Sequence, residues 1–245
     1  MMESKTKKTL ADRTEELFSR QSLMFDEMQL MRRCVILGCW FIGSNLAHNL
    51  MKTWFQRFLL VDFDTIGTEN LLNQNYFSED VGLSKRQALA NHLIEFSPID
   101  MDIDTDDNIE NIISGKVELF DWDIIFLSPD NLSIRKKFLS WLIQKQKKGE
   151  LTNVLLVVVG TNSDMILFHL IQHTTKGIEK LLELYSGDES NYSVGVCWNK
   201  SAYFMGSLVS GLVISYLKNY CLWQTTPLVI QKMWLNDQSI LLDID

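Results

Sequence analysis

An α/β fold, a doubly wound and mostly parallel sheet with a C-terminal antiparallel hairpin, is predicted by three observations. Short apolar runs alternate with helical patterns: Cys34–Leu37, then about Ile42 to Lys52, then Phe58–Val61. The first run ends in a loop framed by Gly38 and Gly43. The second ends in Asp62 and Asp64, an acid roughly 20 residues past the loop, as in a dinucleotide-binding, Rossmann-like βαβ unit. Finally, Val229–Trp234 and Ile240–Ile244 flank Asn236 and Asp237, which predicts the closing hairpin.

The remaining elements follow in order. No Gly or Pro interrupts Leu10 to Met31, whose apolar residues recur at helical spacing, so a helix with a break near Ser22 is expected there. Beyond Asp64 lies a turn-rich stretch, Ile66 to Asn70, and then a helix from about Ser84 to Phe96, ended by Pro98. Met101 and Ile103 alternate with Asp100, Asp102 and Asp104, the pattern of a half-exposed strand. Those acids do not form a calcium loop, because the required glycine and the twelfth-position Glu are missing. Asp123–Leu127 reads as a strand, and Ser128 to Asn131 turns into a helix ending near Gly149. Val154–Val159 has the composition of a buried central strand. Thr174 to Ser193 reads as a surface crossover around a short helix at Ile178–Leu184. Ser201 to Leu217 is short and carries four serines and two glycines, which predicts a helix packed inside the protein rather than a membrane span. One domain over 1–245 is expected: an N-terminal helical segment 1–31, a nucleotide-binding core 32–170, and a crossover, late helix and hairpin over 171–245.

Composition narrows the function. A net charge of −8 and a pI near 5.1 argue against nucleic-acid binding, which needs clustered Lys and Arg. The lysine-rich first residues lack an apolar run, so no secretory signal is read and the chain is expected in the cytoplasm, away from membranes. Cys34, Cys39, Cys197 and Cys221 form no C-x-x-C pair and are read as reduced structural thiols, with neither zinc nor disulfides. His169 and His173 would share a helical face, but no Glu follows His169, so the zinc-protease pattern is absent. No G-x-S-x-G elbow supports a serine hydrolase.

Chemistry collects outside the carboxyl ends of parallel strands. Gly38 and Gly43 open a helix whose N-terminal amides favour an anion. Asp62 and Asp64 can hold ribose hydroxyls, Lys85 can reach phosphates, and Asp130 suits magnesium, which prefers oxygen ligands.

Taken together, several motifs resemble the ubiquitin-activating-like ThiF/MoeB/HesA family. They are Phe18 to Gln21, G-x-x-x-x-G-S at Gly38 to Ser44, V-D-F-D-T-I at Val61 to Ile66, N-L-L-N-Q-N at Asn70 to Asn75, V-G-L-S-K at Val81 to Lys85, and P-D-N at Pro129 to Asn131. The resemblance spans nearly the whole chain. It implies ATP and magnesium as cofactors and adenylation of the C-terminal carboxylate of a small β-grasp protein, either ubiquitin-like or a sulfur carrier. By resemblance, Asp62 would hold the ribose, Asn70 and Gln74 the nucleotide, and Lys85 the phosphates. Asp130 would hold magnesium beside Asn131, and Arg20 would reach into a partner subunit's site, implying a homodimer or a heterodimer with an activating-enzyme homologue.

The chain departs from the family pattern at defined places. Trp40 and Phe41 replace inner glycines of the loop, where glycine lets backbone approach phosphates closely. Asn73 stands where the family carries arginine. No cysteine occurs between Thr174 and Ser193, so no thioester step is expected. Four readings remain open: a degenerate or partner-dependent subunit, a divergent active adenylyltransferase, an unrelated nucleotide-binding role, and a scaffold that binds no ATP and supports a homologue or presents a peptide to a modifying enzyme.

Overall fold

The computed structural model describes Phe25 and residues 27–161, 165–172, 175–185, 203–223, 229–236 and 239–244. After a single turn of helix, α1 (Glu27–Leu30), the chain runs β1 (Arg33–Leu37), α2 (Phe41–Lys52), β2 (Arg57–Val61), α3 (Lys85–Phe96), β3 (Asp102–Asp106) and α4 (Ile109–Ile113). It continues with β4 (Ile124–Leu127), α5 (Leu132–Lys147), β5 (Leu155–Thr161), β6 (Met165–Gln172), α6 (Thr175–Tyr185), α7 (Tyr203–Trp223), β7 (Val229–Asn236) and β8 (Ser239–Ile244). The sheet order is β3-β2-β1-β4-β5-β6-β7-β8. The first five strands are all parallel, and the order reverses direction between β1 and β4. Beyond β5 the backbone runs antiparallel through β6, β7 and β8.

The period-two geometry of strands divides the core into two layers. Cys34, Ile36, Phe58, Leu60, Ile124 and Phe126 face one way, under Leu46 and Leu50 of α2, Leu89 and Leu93 of α3, and Val209 and Val213 of α7. Val35, Leu37, Leu59, Val61, Ile125 and Leu127 face the other, under Ile112 of α4, Phe138 and Leu142 of α5, and Ile178 and Leu181 of α6. A parallel sheet covered on both faces needs continuous rather than alternating apolar strands, which is how β1, β4 and β5 read. The small and polar residues of α7 are explained by its seat on α2. Gly206 packs so closely that a Cβ there would lie 2.7 Å from Asn45 Nδ2. Ser207 donates to Asn45 Oδ1 at 3.2 Å, and Asn49 donates to Ser210 Oγ at 2.6 Å. No helix among the described residues is long and apolar enough to cross a membrane.

One expectation is overturned. The helical face suggested for His169 does not exist, because 165–172 is strand β6, paired with β5 and β7. Its apolar run is nearly unbroken, and such a run does not separate a buried strand from a buried helix by periodicity alone. The helix over Ile109–Ile113 was not read from sequence, and α7 runs on through Lys218 to Trp223. Arg20, Cys197, His173, Asp237 and the helical pattern before Met24 lie outside the described residues.

Candidate functional site

A cleft of about 300 Å³ opens at the carboxyl ends of β1, β2 and β4, at the point where the strand order reverses. In open α/β sheets this switch point is where ligands bind. Of the residues singled out from sequence, Gly38, Asp62, Asp64, Asn70, Gln74, Lys85, Asp130 and Asn131 line it. Gly43 sits behind the loop rather than in the cleft, and Arg20 is outside the described residues.

The floor is stitched by backbone. Gly38 N–H donates to Val61 O at 2.8 Å, and Ser128 N–H donates to Leu37 O at 3.0 Å, tying the ends of β1, β2 and β4 together. Gly38 has φ +96, a conformation that disfavours any side chain, and its Cα faces Pro129. Gly43 is fixed by contact: a Cβ there would lie 1.9 Å from Gly38 O. The loop therefore folds tightly onto the start of α2.

Asp62 ends β2 and is nearly buried. Its two carboxylate oxygens accept from Cys39 N–H at 2.6 Å and Asp64 N–H at 2.8 Å. Burial raises the Asp62 pKa above the ordinary carboxylate value, opposed by those amide hydrogen bonds and by nearby Lys85. Lys85 reaches the cleft because the chain doubles back on itself. Lys85 N–H donates to Asp64 O, and Ile66 N–H to Leu83 O, each at 2.9 Å. The Lys85 Nζ then lies 2.8 Å from Asp64 Oδ2.

The opposite rim carries amides. Asn70 Oδ1 accepts from Gly67 N–H at 2.9 Å, closing the turn Thr68–Asn70 and leaving its amide nitrogen to donate. Asn73 Oδ1 and Gln74 Oε1 are buried without a hydrogen-bond partner, and both residues line the cleft. Buried acceptors without partners are costly, so these two oxygens mark where a ligand's hydroxyl or amino donors, or a bound cation, would be received. Asn131 caps α5 by accepting from Ile134 N–H at 3.1 Å. Asp130 is half-buried beside it. Among the described residues no three His, Cys, Asp or Glu side chains converge to hold a metal ion. A magnesium at Asp130 would thus be completed by phosphate oxygens and water, which is how this ion commonly binds.

The two loop aromatics divide. Phe41 is fully buried and packs into the core layer beneath α7, and it is not among the residues that line the cleft. Trp40 does face the cleft, and its Nε1 donates to Ser128 O at 2.6 Å. Cys34, Cys39 and Cys221 are buried and in no disulfide, and burial drives the Cys34 and Cys39 pKa values well up, so neither of those two offers a nucleophile.

The model of the ThiF family matches residues 23–238. The chain belongs to the ThiF family. Among solved structures, E. coli MccB with ATP superposes with a TM-score of 0.65 at 17% identity, covering 92% of this chain and 65% of that one. The microcin C7 biosynthetic enzyme MccB in complex with N-formylated MccA gives 0.66 at 17% identity, covering 92% and 66%. PaaA gives 0.70 at 16% identity, covering all of this chain and 86% of its own. The chain thus spans about two thirds of the MccB length, and at these identities the likeness is one of fold.

Within this ThiF-family chain, several supports of the cleft were not anticipated from sequence. Tyr76, buried, donates its hydroxyl to Cys39 O and also approaches Lys85 O at 3.3 Å, joining the glycine loop to α3. Ser128 Oγ donates to Gly38 O at 3.0 Å. Arg135 is almost fully buried and donates to Pro129 O at 2.5 Å and Val159 O at 2.7 Å, holding the backbone next to Asp130. Arg135 had a readable signal: its place four residues past the Asn131 cap puts it on the first inward turn of α5.

Proposed function

We propose that this chain is a partner-dependent subunit of a cytoplasmic system that adenylates the C-terminal carboxylate of a small β-grasp protein or a peptide. The observation that carries the reading is the meeting of Asp62, Gln74, Lys85 and Asp130 in one cleft at the switch point of a ThiF-family sheet. ATP would supply an α-phosphoryl group for the carboxylate, with pyrophosphate as leaving group. In that role Asp62 would hold ribose hydroxyls and the Asn70 and Gln74 amides the nucleoside. Lys85 would neutralise phosphate charge, and Asp130 would hold magnesium. Charge balance argues for dependence on a partner. Among the described residues, Asp62, Asp64, Glu69, Asp107 and Asp130 line the cleft against Lys85, so magnesium and an arginine from a second subunit are needed to receive a triphosphate. Arg20 would be this chain's reciprocal contribution to the partner.

The test is exchange of labelled pyrophosphate into ATP. The chain alone should be inactive or nearly so, the chain with an activating homologue should be active, and Arg20→Ala should lower that rate without preventing assembly. Full activity of the isolated chain would overturn the dependence. A second reading, a scaffold that binds no ATP, is favoured by Trp40, which lines the cleft and is anchored there to Ser128 O. It predicts peptide or partner binding with no nucleotide heat in calorimetry.

A further inference from the structure

We propose that Trp40 sets which nucleotide this cleft accepts: with its indole across the switch-point crevice, the chain by itself receives a nucleoside, and a triphosphate enters only once the indole is displaced. The inference rests on the nucleotide reading above and goes beyond it. Trp40 caps α2 at the end of β1, while Ser128 follows β4. Between β1 and β4 lies the crevice where the strand order reverses, and the Trp40 Nε1–Ser128 O bond of 2.6 Å spans it. A phosphate chain would use the first amides of α2, which lie at that crevice. The indole stands in the same place, and a backbone carbonyl holds it there. Carbon–phosphate contact replaces none of an anion's hydrogen bonds, so the side chain must leave before phosphates settle.

The cleft also holds acceptors without partners. Gln74 is 5% exposed and its Oε1 has no partner, and Asn73 Oδ1 beside it is likewise unpaired. Both are acceptors and match the hydroxyl and amino donors of a nucleoside. Neither replaces the charge of an arginine. Phe63, 70% exposed at the cleft wall, offers an aromatic face to a base. The cleft thus combines donor-seeking amides and an aromatic face, which suit a nucleoside, with an anchored indole beside the first turn of α2.

The experiment is calorimetric titration with adenosine, with AMP, and with ATP plus magnesium, on the wild-type chain, Trp40→Gly and Trp40→Phe. Glycine is tolerated at a helix N-cap, so the variant should keep its fold, which thermal melting checks. The wild type should bind adenosine more tightly than ATP. Trp40→Gly should tighten ATP by about 10- to 100-fold, the worth of one regained charged hydrogen bond, and change adenosine less than about threefold. Trp40→Phe keeps the ring and loses the anchor, and should fall between. Should Trp40→Gly be too unstable to titrate, the Phe variant alone decides by whether it shifts the ATP-to-adenosine ratio. An unshifted ratio, or a wild type that prefers ATP, overturns the role of Trp40 and leaves the nucleotide reading standing. No binding of any probe to any variant overturns both.

Discussion

Lys85 and Asp64 form a lopsided pair: Nζ and Oδ2 are 2.8 Å apart, yet the lysine side chain is 6% exposed and the aspartate 45%. The lysine is held by the start of α3, and its partner reaches in from solvent. A half-exposed carboxylate contributes little to stability and is free to yield to an arriving anion. Lys85→Met should therefore keep the fold while weakening ATP or AMP by about 10- to 100-fold, the loss of a charged hydrogen bond. Adenosine should be unaffected. Asp64→Asn should act oppositely and tighten anionic nucleotides. Calorimetry on both variants checks this, and unchanged AMP binding by Lys85→Met would remove Lys85 from the phosphate role.

Gly43 and Gly211 both lie in helices but should respond oppositely to alanine. A Cβ at Gly43 would sit 1.9 Å from the Gly38 carbonyl oxygen, whereas one at Gly211 meets nothing within 4 Å. Gly43→Ala forces backbone apart and should cost about 3 kcal/mol or more. Gly211→Ala should instead stabilise by about 0.5 to 1 kcal/mol through helix propensity. Urea unfolding midpoints of the two variants, moving in opposite directions, are the expected result.

Much of this was legible in the sequence because it rested on local signals. The glycine pair, the acids after β2 and the turn from Ser128 to Asn131 are short-range features, and the structure places each at the element end that its pattern named. What escaped depended on contacts distant in sequence. The orientation of Phe41 is decided by α7, more than 160 residues later, where Gly206 leaves room against Phe41 O. The Trp40–Ser128 bond joins residues 88 apart and has no local signature. Strand β6 was obscured because its nearly unbroken apolar run, Met165–Gln172, lacks the period that would have distinguished it from a helix.

Arg33 and Asp123 should be the pair whose breaking is most damaging at the opposite end of the sheet. Asp123 Oδ2 lies 2.7 Å from Arg33 Nη2 and Oδ1 lies 3.1 Å from Nε, with side chains 8% and 2% exposed. The same carboxylate accepts from Phe120 N–H at 2.8 Å. Removing one partner of such a pair strands a buried charge, so Asp123→Ala should cost about 3 to 5 kcal/mol by urea denaturation. The exposed pair Arg57–Asp102 offers the contrast, and Asp102→Ala should cost less than about 1 kcal/mol. Equal effects from the two would contradict the role given to burial.

His48 should make the fold acid-sensitive. Burial lowers its pKa below the ordinary value of 6.5, outweighing the favourable bond from Nδ1–H to Ser44 O at 3.0 Å; His92 and Lys52 nearby add to the lowering. The groups that face it include the His92 ring, 5.9 Å away, which itself pairs with Asp80 at 3.1 Å. Above pH 6.5 the imidazole is neutral in both folded and unfolded chains, and the pH dependence from this group vanishes. As pH falls below 6.5, the unfolded chain takes up a proton that the folded chain refuses, so stability declines until the lowered folded pKa is passed. His48→Gln has no proton to take up and keeps a donor for Ser44 O. Urea midpoints at about pH 7.5 and about pH 5.5 should thus fall further for the wild type than for His48→Gln, a range chosen to straddle the ordinary histidine pKa. A variant that loses as much stability as the wild type over that range would contradict the role given to His48.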